Sequence, residues 1–177
     1  MEKGNTARTK AFTAKFIDLA KLQPGGIYRR SDLRKLSESI DRDLAKLVAG
    51  QVLERVGRGI YYFPKVSRFG LLPPDQGDLL KAFLQTDDFL LISPNDFNSL
   101  GVGCTQLYNH QLVINHKRNG RFVLAGLVFE FCIRAHFPKV ATQEFLLEEL
   151  AANLDNLSEN REEVRENLRR LPGSARQ

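Results

Sequence analysis

Apolar residues along this chain recur first at helical and then at strand spacing, and the places where the spacing changes divide it into elements. Phe12, Phe16 and Leu19 fall three or four residues apart, with Lys10, Lys15 and Lys21 among the other positions, which predicts a helix over Ala11–Leu22. Gln23-Pro24-Gly25-Gly26 stops it, because proline and glycine disfavour helix continuation. Ile27-Tyr28-Arg29 reads as a short strand. Ser31 reads as the N-cap of a brief helix Asp32–Leu36, whose first turn Asp32 complements electrostatically. Ile40, Leu44, Leu47 and Val48 then form one stripe at i, i+4, i+7 and i+8. That stripe predicts a helix opening at Ser37 or Ser39 and closing at Gly50. Val52–Val56 and Ile60–Phe63 are β-prone runs separated by Gly57-Arg58-Gly59, a hairpin pattern in which glycine supplies positive φ at low cost. Pro64 ends the unit.

Three helices followed by a hairpin is the order of a winged helix-turn-helix, and residues 1–67 are expected to form one. Leu71-Leu72-Pro73-Pro74 reads as the connection to a second domain, 74–177, of mixed α/β character, so the expected class is α+β. Within that domain the pattern predicts a helix at Asp78–Leu84 and strands at Phe89–Ile92, Leu107–Asn115, Arg121–Leu124 and Leu127–Ile133. Lys117–Gly120 is expected to turn between the second and third of these. Thr142–Leu171 is helical in pattern, with Leu147, Leu150, Leu154, Leu157, Val164, Leu168 and Leu171 alternating by three and four and only Arg161 interrupting. Such a seam either packs on its own domain, where Phe145 and Leu146 widen the stripe, or joins a partner, including a second copy in a homodimer.

Charge separates the two parts. Residues 1–67 carry 14 Lys/Arg against 7 Asp/Glu, a net of +7, and residues 68–177 carry 12 against 14, a net of −2. Local positive density favours polyanions, because each neutralised phosphate releases condensed counterions. On the helix that begins at Ile40, a 100° step per residue puts Glu38, Ser39, Arg42, Ala45 and Lys46 opposite the apolar stripe. Arg42 and Lys46 are one turn apart and suit guanine or phosphate in a major groove. Arg55 and Arg58 flank Gly57 on the hairpin, where a tip arginine suits a narrow minor groove. Arg29, Arg30, Arg34 and Lys35 surround the preceding helix and are placed for flanking phosphates. A protein-binding winged helix is the alternative from another class.

These residues resemble the AbiEi-type antitoxins, winged-helix transcriptional regulators of bacterial toxin–antitoxin operons. The likeness is carried by Ile40-Asp41-Arg42-Asp43-Leu44-Ala45-Lys46-Leu47-Val48, Gly50-Gln51-Val52-Leu53-Glu54-Arg55-Val56 and Gly57-Arg58-Gly59-Ile60-Tyr61-Tyr62-Phe63-Pro64. Further on, Ser99-Leu100-Gly101-Val102 and Thr105-Gln106-Leu107 are similar to the family's second domain. The likeness spans roughly Leu19 to Pro138, and Asp41 and Asp43 make the reader helix less basic than is usual in the family. It implies a protein that binds inverted repeats in its own promoter, represses its operon and counteracts a nucleotidyltransferase-like toxin. A free-standing regulator without a toxin is the remaining variant of that reading.

Other chemistries find less support. Cys104, His110, His116 and Cys132 lack the close ligand pairs of structural zinc, and two cysteines make no disulfide framework. Gly101-Val102-Gly103 lacks the lysine of a phosphate loop, and no serine elbow or clustered carboxylate set is present. Neither an enzyme nor a cofactor is therefore expected. The polar start at Met1–Lys15 has no signal-peptide core and no run suffices to span a bilayer, which points to a cytoplasmic protein without a membrane partner.

Overall fold

The stripe Ile40, Leu44 and Leu47 is buried as its spacing predicts, and the element carrying it is α2, Ile40–Ala49. In the computed structural model, which describes residues 17–171, the chain is mixed α/β and divides into two compact units. The first takes the chain as far as Gln85 together with 124–126. The second takes Thr86–Val123 and the chain from Leu127.

In the first unit β1 (Ile27–Arg29) leads directly into α1 (Arg30–Leu33) and a 3-10 turn Arg34–Leu36. The helix therefore starts earlier than expected, with Ser31 inside it. After α2 come β2 (Glu54–Gly57) and β3 (Ile60–Tyr62), and the sheet order is β1-β3-β2, all antiparallel. The register shifts between Arg55 and Gly57, a bulge just before the turn, and Gly59 supplies the positive φ of +71°. Ile17, Leu22 and Leu33 close the core over the inner face of α2 with Leu53. Of the helix expected over Ala11–Leu22, residues 11–16 lie outside the described residues. Its end is a 3-10 turn, Leu19–Lys21, capped by Asp18.

A second hairpin follows where a plain connection was expected: β4 (Lys65–Ser67) and β5 (Gly70–Leu72). Then α3, Gln76–Leu84, begins at the Asp75 cap, whose carboxylate accepts the Asp78 N–H at 2.9 Å. This helix belongs to the first unit, not to a domain starting at 74. Its Leu79, Leu80 and Leu84 are buried, and it packs against β1.

The second unit is built on a four-stranded sheet of β6 (Phe89–Ile92), β7 (His110–Asn115), β8 (Gly120–Leu124) and β9 (Leu127–Ile133), in the order β6-β7-β9-β8. β6 runs antiparallel to β7, but β7 and β9 are parallel, paired from His110 with Val128 to Asn115 with Ile133. The turn at 117–120 thus connects strands that are not neighbours: β8 lies outside β9. Asn115, fully buried, holds that turn, its Oδ1 accepting the N–H groups of Lys117 and Arg118 at 2.8 and 2.7 Å.

One face of this sheet, with Leu90, Ile92, Leu112, Ile114 and Cys132, packs with Phe97 and Leu100 of a 3-10 turn and with the C-terminal segment. That segment is not one helix over 142–171. It is α4 (Gln143–Asn153), a 3-10 turn at Leu154–Asn156 and α5 (Arg161–Arg170). The break lets Glu159 accept the N–H groups of Thr105 and Gln106 and the Tyr108 hydroxyl, at 3.1, 3.2 and 3.2 Å. Folding back also buries the seam: Leu150, Leu154, Leu157 and Val164 join the unit's own core, with Leu147, Leu168 and Leu171 packed on it. The C-terminal segment therefore presents no single helix for the expected homodimer, since it breaks after α4 and Leu150, Leu154, Leu157 and Val164 lie inside one copy.

Ending the chain after Asn156 should lower the melting temperature without changing the oligomeric state, because it strips Leu157 and Val164 from the core. Leu150→Ala, at a fully buried position, should cost about 2–5 kcal/mol in chemical denaturation. An unaltered melt for the truncated chain would show that the folded-back segment contributes no stability.

Candidate nucleic-acid interface

Arg30 joins three elements of the first unit, the β2–β3 turn, the start of α1 and the first turn of α2. Its backbone N–H donates to Gly59 O at 2.8 Å, fixing the β2–β3 turn against the start of α1. Its guanidinium spans to α2, with Nε and Nη2 donating to Asp41 Oδ1 and Oδ2, both at 2.6 Å. The fork geometry matches a carboxylate with two parallel bonds, which sets orientation as well as attraction. The pair is exposed, so its contribution is positional more than energetic.

The first turn of α2 is also held from inside. Ser37 Oγ accepts the Ser39 N–H at 3.0 Å and donates to Asp43 Oδ2 at 2.6 Å. Asp43 is fully buried, and its other oxygen has no hydrogen bond, lying 4.0 Å from Arg42 Nε. Ser37 Oγ thus ties the backbone at Ser39, the residue before α2, to the Asp43 carboxylate, while the Ser39 side chain makes no cap bond. A carboxylate in the first turn is favourably placed against the helix dipole.

The expected site residues divide by what holds them. Arg42 and Lys46 stand exposed on the outer face of α2, one turn apart, opposite Leu44 and Leu47. Arg34 and Lys35 are exposed on the turn before α2, and Ser39 is half-buried at its start. Arg30, Arg34, Glu38, Ser39, Asp41 and Arg42 line one open groove. Arg55 and Arg58 are exposed on β2 and the turn after it. Arg29 is tied to its neighbour on α1, donating from Nε and Nη2 to Asp32 at 3.1 and 2.9 Å. No pattern in the sequence marks Ser37, Asp41 and Asp43 as structural partners. The six-residue step from Ser37 to Asp43 and the eleven-residue step from Arg30 to Asp41 follow no local motif.

Both outer carboxyls titrate low. The Arg30 fork holds Asp41 below its ordinary value of 3.8, and the Arg29 side chain does the same for Asp32. Elsewhere, burial and the Glu159 carboxylate push the Cys104 thiol up to about 11, and burial raises Cys132, so both stay thiols at neutral pH. His110 and His116 lie apart in their contacts. His110 faces Glu130 at 3.8 Å, and His116 meets Asp88 at 3.3 Å and the Phe137 ring. Among the described residues no group of three or more His, Cys, Asp or Glu is placed to hold a metal, and no helix is long and apolar enough to cross a membrane. No protein-family model, curated protein or solved structure matches the chain.

Ser37→Ala should destabilise the first unit by about 1–3 kcal/mol, because it leaves the buried Asp43 carboxylate without its hydrogen bond. The outer pairs carry an acid signature. A folded carboxyl below its unfolded value contributes stability that is full above about 3.8 and is lost as pH falls through the folded value. Denaturation between pH 5 and pH 2, compared for the unchanged chain and Asp41→Asn, should show a shallower acid loss in the variant; identical pH slopes would contradict the pairing.

Proposed function

We propose that this chain is a sequence-specific DNA-binding repressor of the AbiEi antitoxin type, with a winged helix as its first unit and α2 as the reader. The observation that carries this is the Arg30 joint. It ties the turn that carries Arg58 to the start of α1 and the first turn of α2, and Arg34 and Arg42 line the same groove beside it. In that arrangement α2 enters the major groove, Arg42 and Lys46 facing base edges. The turn carrying Arg58 takes the minor groove beside it, and Arg34 and Lys35 rest on phosphates. The order of elements, a three-stranded sheet with an antiparallel β2–β3 ribbon after α2, supports the winged-helix reading. The acids of α2 do not oppose it: Asp43 faces inward and Asp41 is paired.

The resemblance extends this to a role. The DNA would be an inverted repeat in the protein's own promoter, and the second unit would serve in counteracting a nucleotidyltransferase-like toxin encoded beside it. A reading frame of that kind next to the gene is the observation that bears most directly on the toxin.

Duplex recovered by selection from a random pool with the full chain provides the test. Affinity should fall steeply with salt, with a log–log slope of about −0.9 for each phosphate neutralised. Arg42→Ala should cost about 1–3 kcal/mol on the selected duplex and much less on random sequence, whereas Lys35→Ala should weaken both alike. Failure to enrich any duplex, or a flat salt response, would refute the reading.

A further inference from the structure

The β4–β5 hairpin presents apolar side chains that the fold does not use. Val66 is 73% exposed, Phe69 85% and Leu71 70%, within a ribbon of eight residues. Val66 and Leu71 pair directly across the two strands, and Phe69 stands at the turn beyond them. Clustered apolar exposure of this kind marks an interaction surface.

The ribbon is built to hold that shape. At its base the Tyr62 hydroxyl donates to Leu72 O at 2.8 Å and accepts the Lys65 N–H at 3.4 Å, and the Tyr62 ring is buried. At its tip Ser67 Oγ donates to Gly70 O at 3.0 Å and accepts the Phe69 N–H at 3.2 Å. Gly70 has φ of +113°, a conformation that L side chains rarely adopt. The Arg68 guanidinium sits 4.6 Å over the Phe69 ring. A preorganised aromatic tip avoids much of the ordering cost of binding.

Charge selects the occupant. Residues 55–74 contain four cations, Arg55, Arg58, Lys65 and Arg68, and no carboxylate. Self-pairing of two such ribbons would bring Lys65 and Arg68 of each copy toward like charge, which opposes a dimer through this edge. A polyanion with flat apolar faces answers both features at once. We propose that the β4–β5 hairpin is a second nucleic-acid contact, in which Lys65 and Arg68 meet phosphates and Phe69 wedges into a base step of the minor groove and bends the duplex. Apolar side chains used as wedges unstack a step and kink DNA toward the major groove. The ribbon begins three residues after β3, the outgoing strand of the first hairpin, so both ribbons project from one small unit. Pyrimidine–purine steps, which unstack most readily, are where the wedge should fall.

This inference rests on the DNA-binding reading, and the experiment separates the two. The full chain, Phe69→Ala and Phe69→Leu are titrated onto the selected duplex, labelled at its ends so that energy transfer reports bending. The unchanged chain should shorten the end-to-end distance. Phe69→Ala should abolish the bend and weaken binding about tenfold, in line with the loss of one base–aromatic contact. Its base preference opposite Arg42 should be unchanged, as should its melting temperature, because the ring is exposed. Phe69→Leu should retain the bend, since leucine also wedges. Wild-type bending and affinity in Phe69→Ala would overturn the wedge while leaving the reader helix intact. Mass that falls on Phe69→Ala would show a self-association surface instead, and binding of anionic lipid vesicles lost with Phe69 would show a membrane contact; either overturns it. Failure of the unchanged chain to bind any duplex refutes the DNA reading itself, and the wedge with it.

Discussion

The position of α2 depends on two carboxylates that a count of charges would treat as a handicap. Asp43 turns inward, takes the Ser37 hydroxyl and is sealed from solvent; Asp41 turns outward and takes the Arg30 fork. Between them they hold the first turn of the helix from opposite sides. Asp43 draws on a low-dielectric setting, where an unmade bond is costly. Asp41 adds little energy but fixes direction, because a bidentate pair tolerates few orientations. The same Arg30 that meets Asp41 also anchors the β2–β3 turn through its backbone. Removal of charge from the groove face is thereby coupled to placement of the elements that border it. Arg42 and Lys46 stand exposed on the outer surface of α2, with Asp41 beside them paired to Arg30.

Local periodicity carried much of this architecture. The α2 stripe, β1, the β2–β3 hairpin, α3 and the cores of β6 to β9 were legible, because each buries residues at the spacing its own geometry imposes. Long-range pairing was not. Nothing within Leu127–Ile133 distinguishes a strand that lies between β7 and β8 from one that follows them at an edge. Its Phe129 and Phe131 are buried in either order. Strand spacing alone sets no sheet order, and β9 rather than β8 lies beside β7. The C-terminal seam misled for a related reason. Steps of three and four persist across Leu154–Asn156 although the backbone leaves helical geometry soon after, because Leu157 and Val164 return to the same core from two elements.

The site divides along the same line. Its basic residues were legible from the helical wheel and the turn glycines, which need only local geometry. The bonds that position them were not, since Ser37 with Asp43 and Arg30 with Asp41 join groups from different turns. The β4–β5 hairpin stands where Leu71-Leu72-Pro73-Pro74 reads as a connection, because the prolines break the chain only after the second strand has ended. Its cue was Ser67-Arg68-Phe69-Gly70, a turn with glycine at the position needing positive φ.

Burial of the seam changes what the DNA reading requires. An inverted repeat presents two half-sites, and a stable dimer would engage both with the effective concentration of a tether. With Leu150, Leu154, Leu157 and Val164 inside one unit, that tether has to come from another surface or from the DNA. A bend supplied by one bound copy is such a coupling. It alters the groove that the next copy meets, so two monomers can bind cooperatively without a protein seam, provided each pays part of a deformation cost that neither would meet alone. The exposed hairpin and the buried C-terminal segment are then two sides of one constraint. Leucines that stabilise the second unit are withdrawn from association, while the first unit leaves Val66, Phe69 and Leu71 in solvent on a short, cationic ribbon.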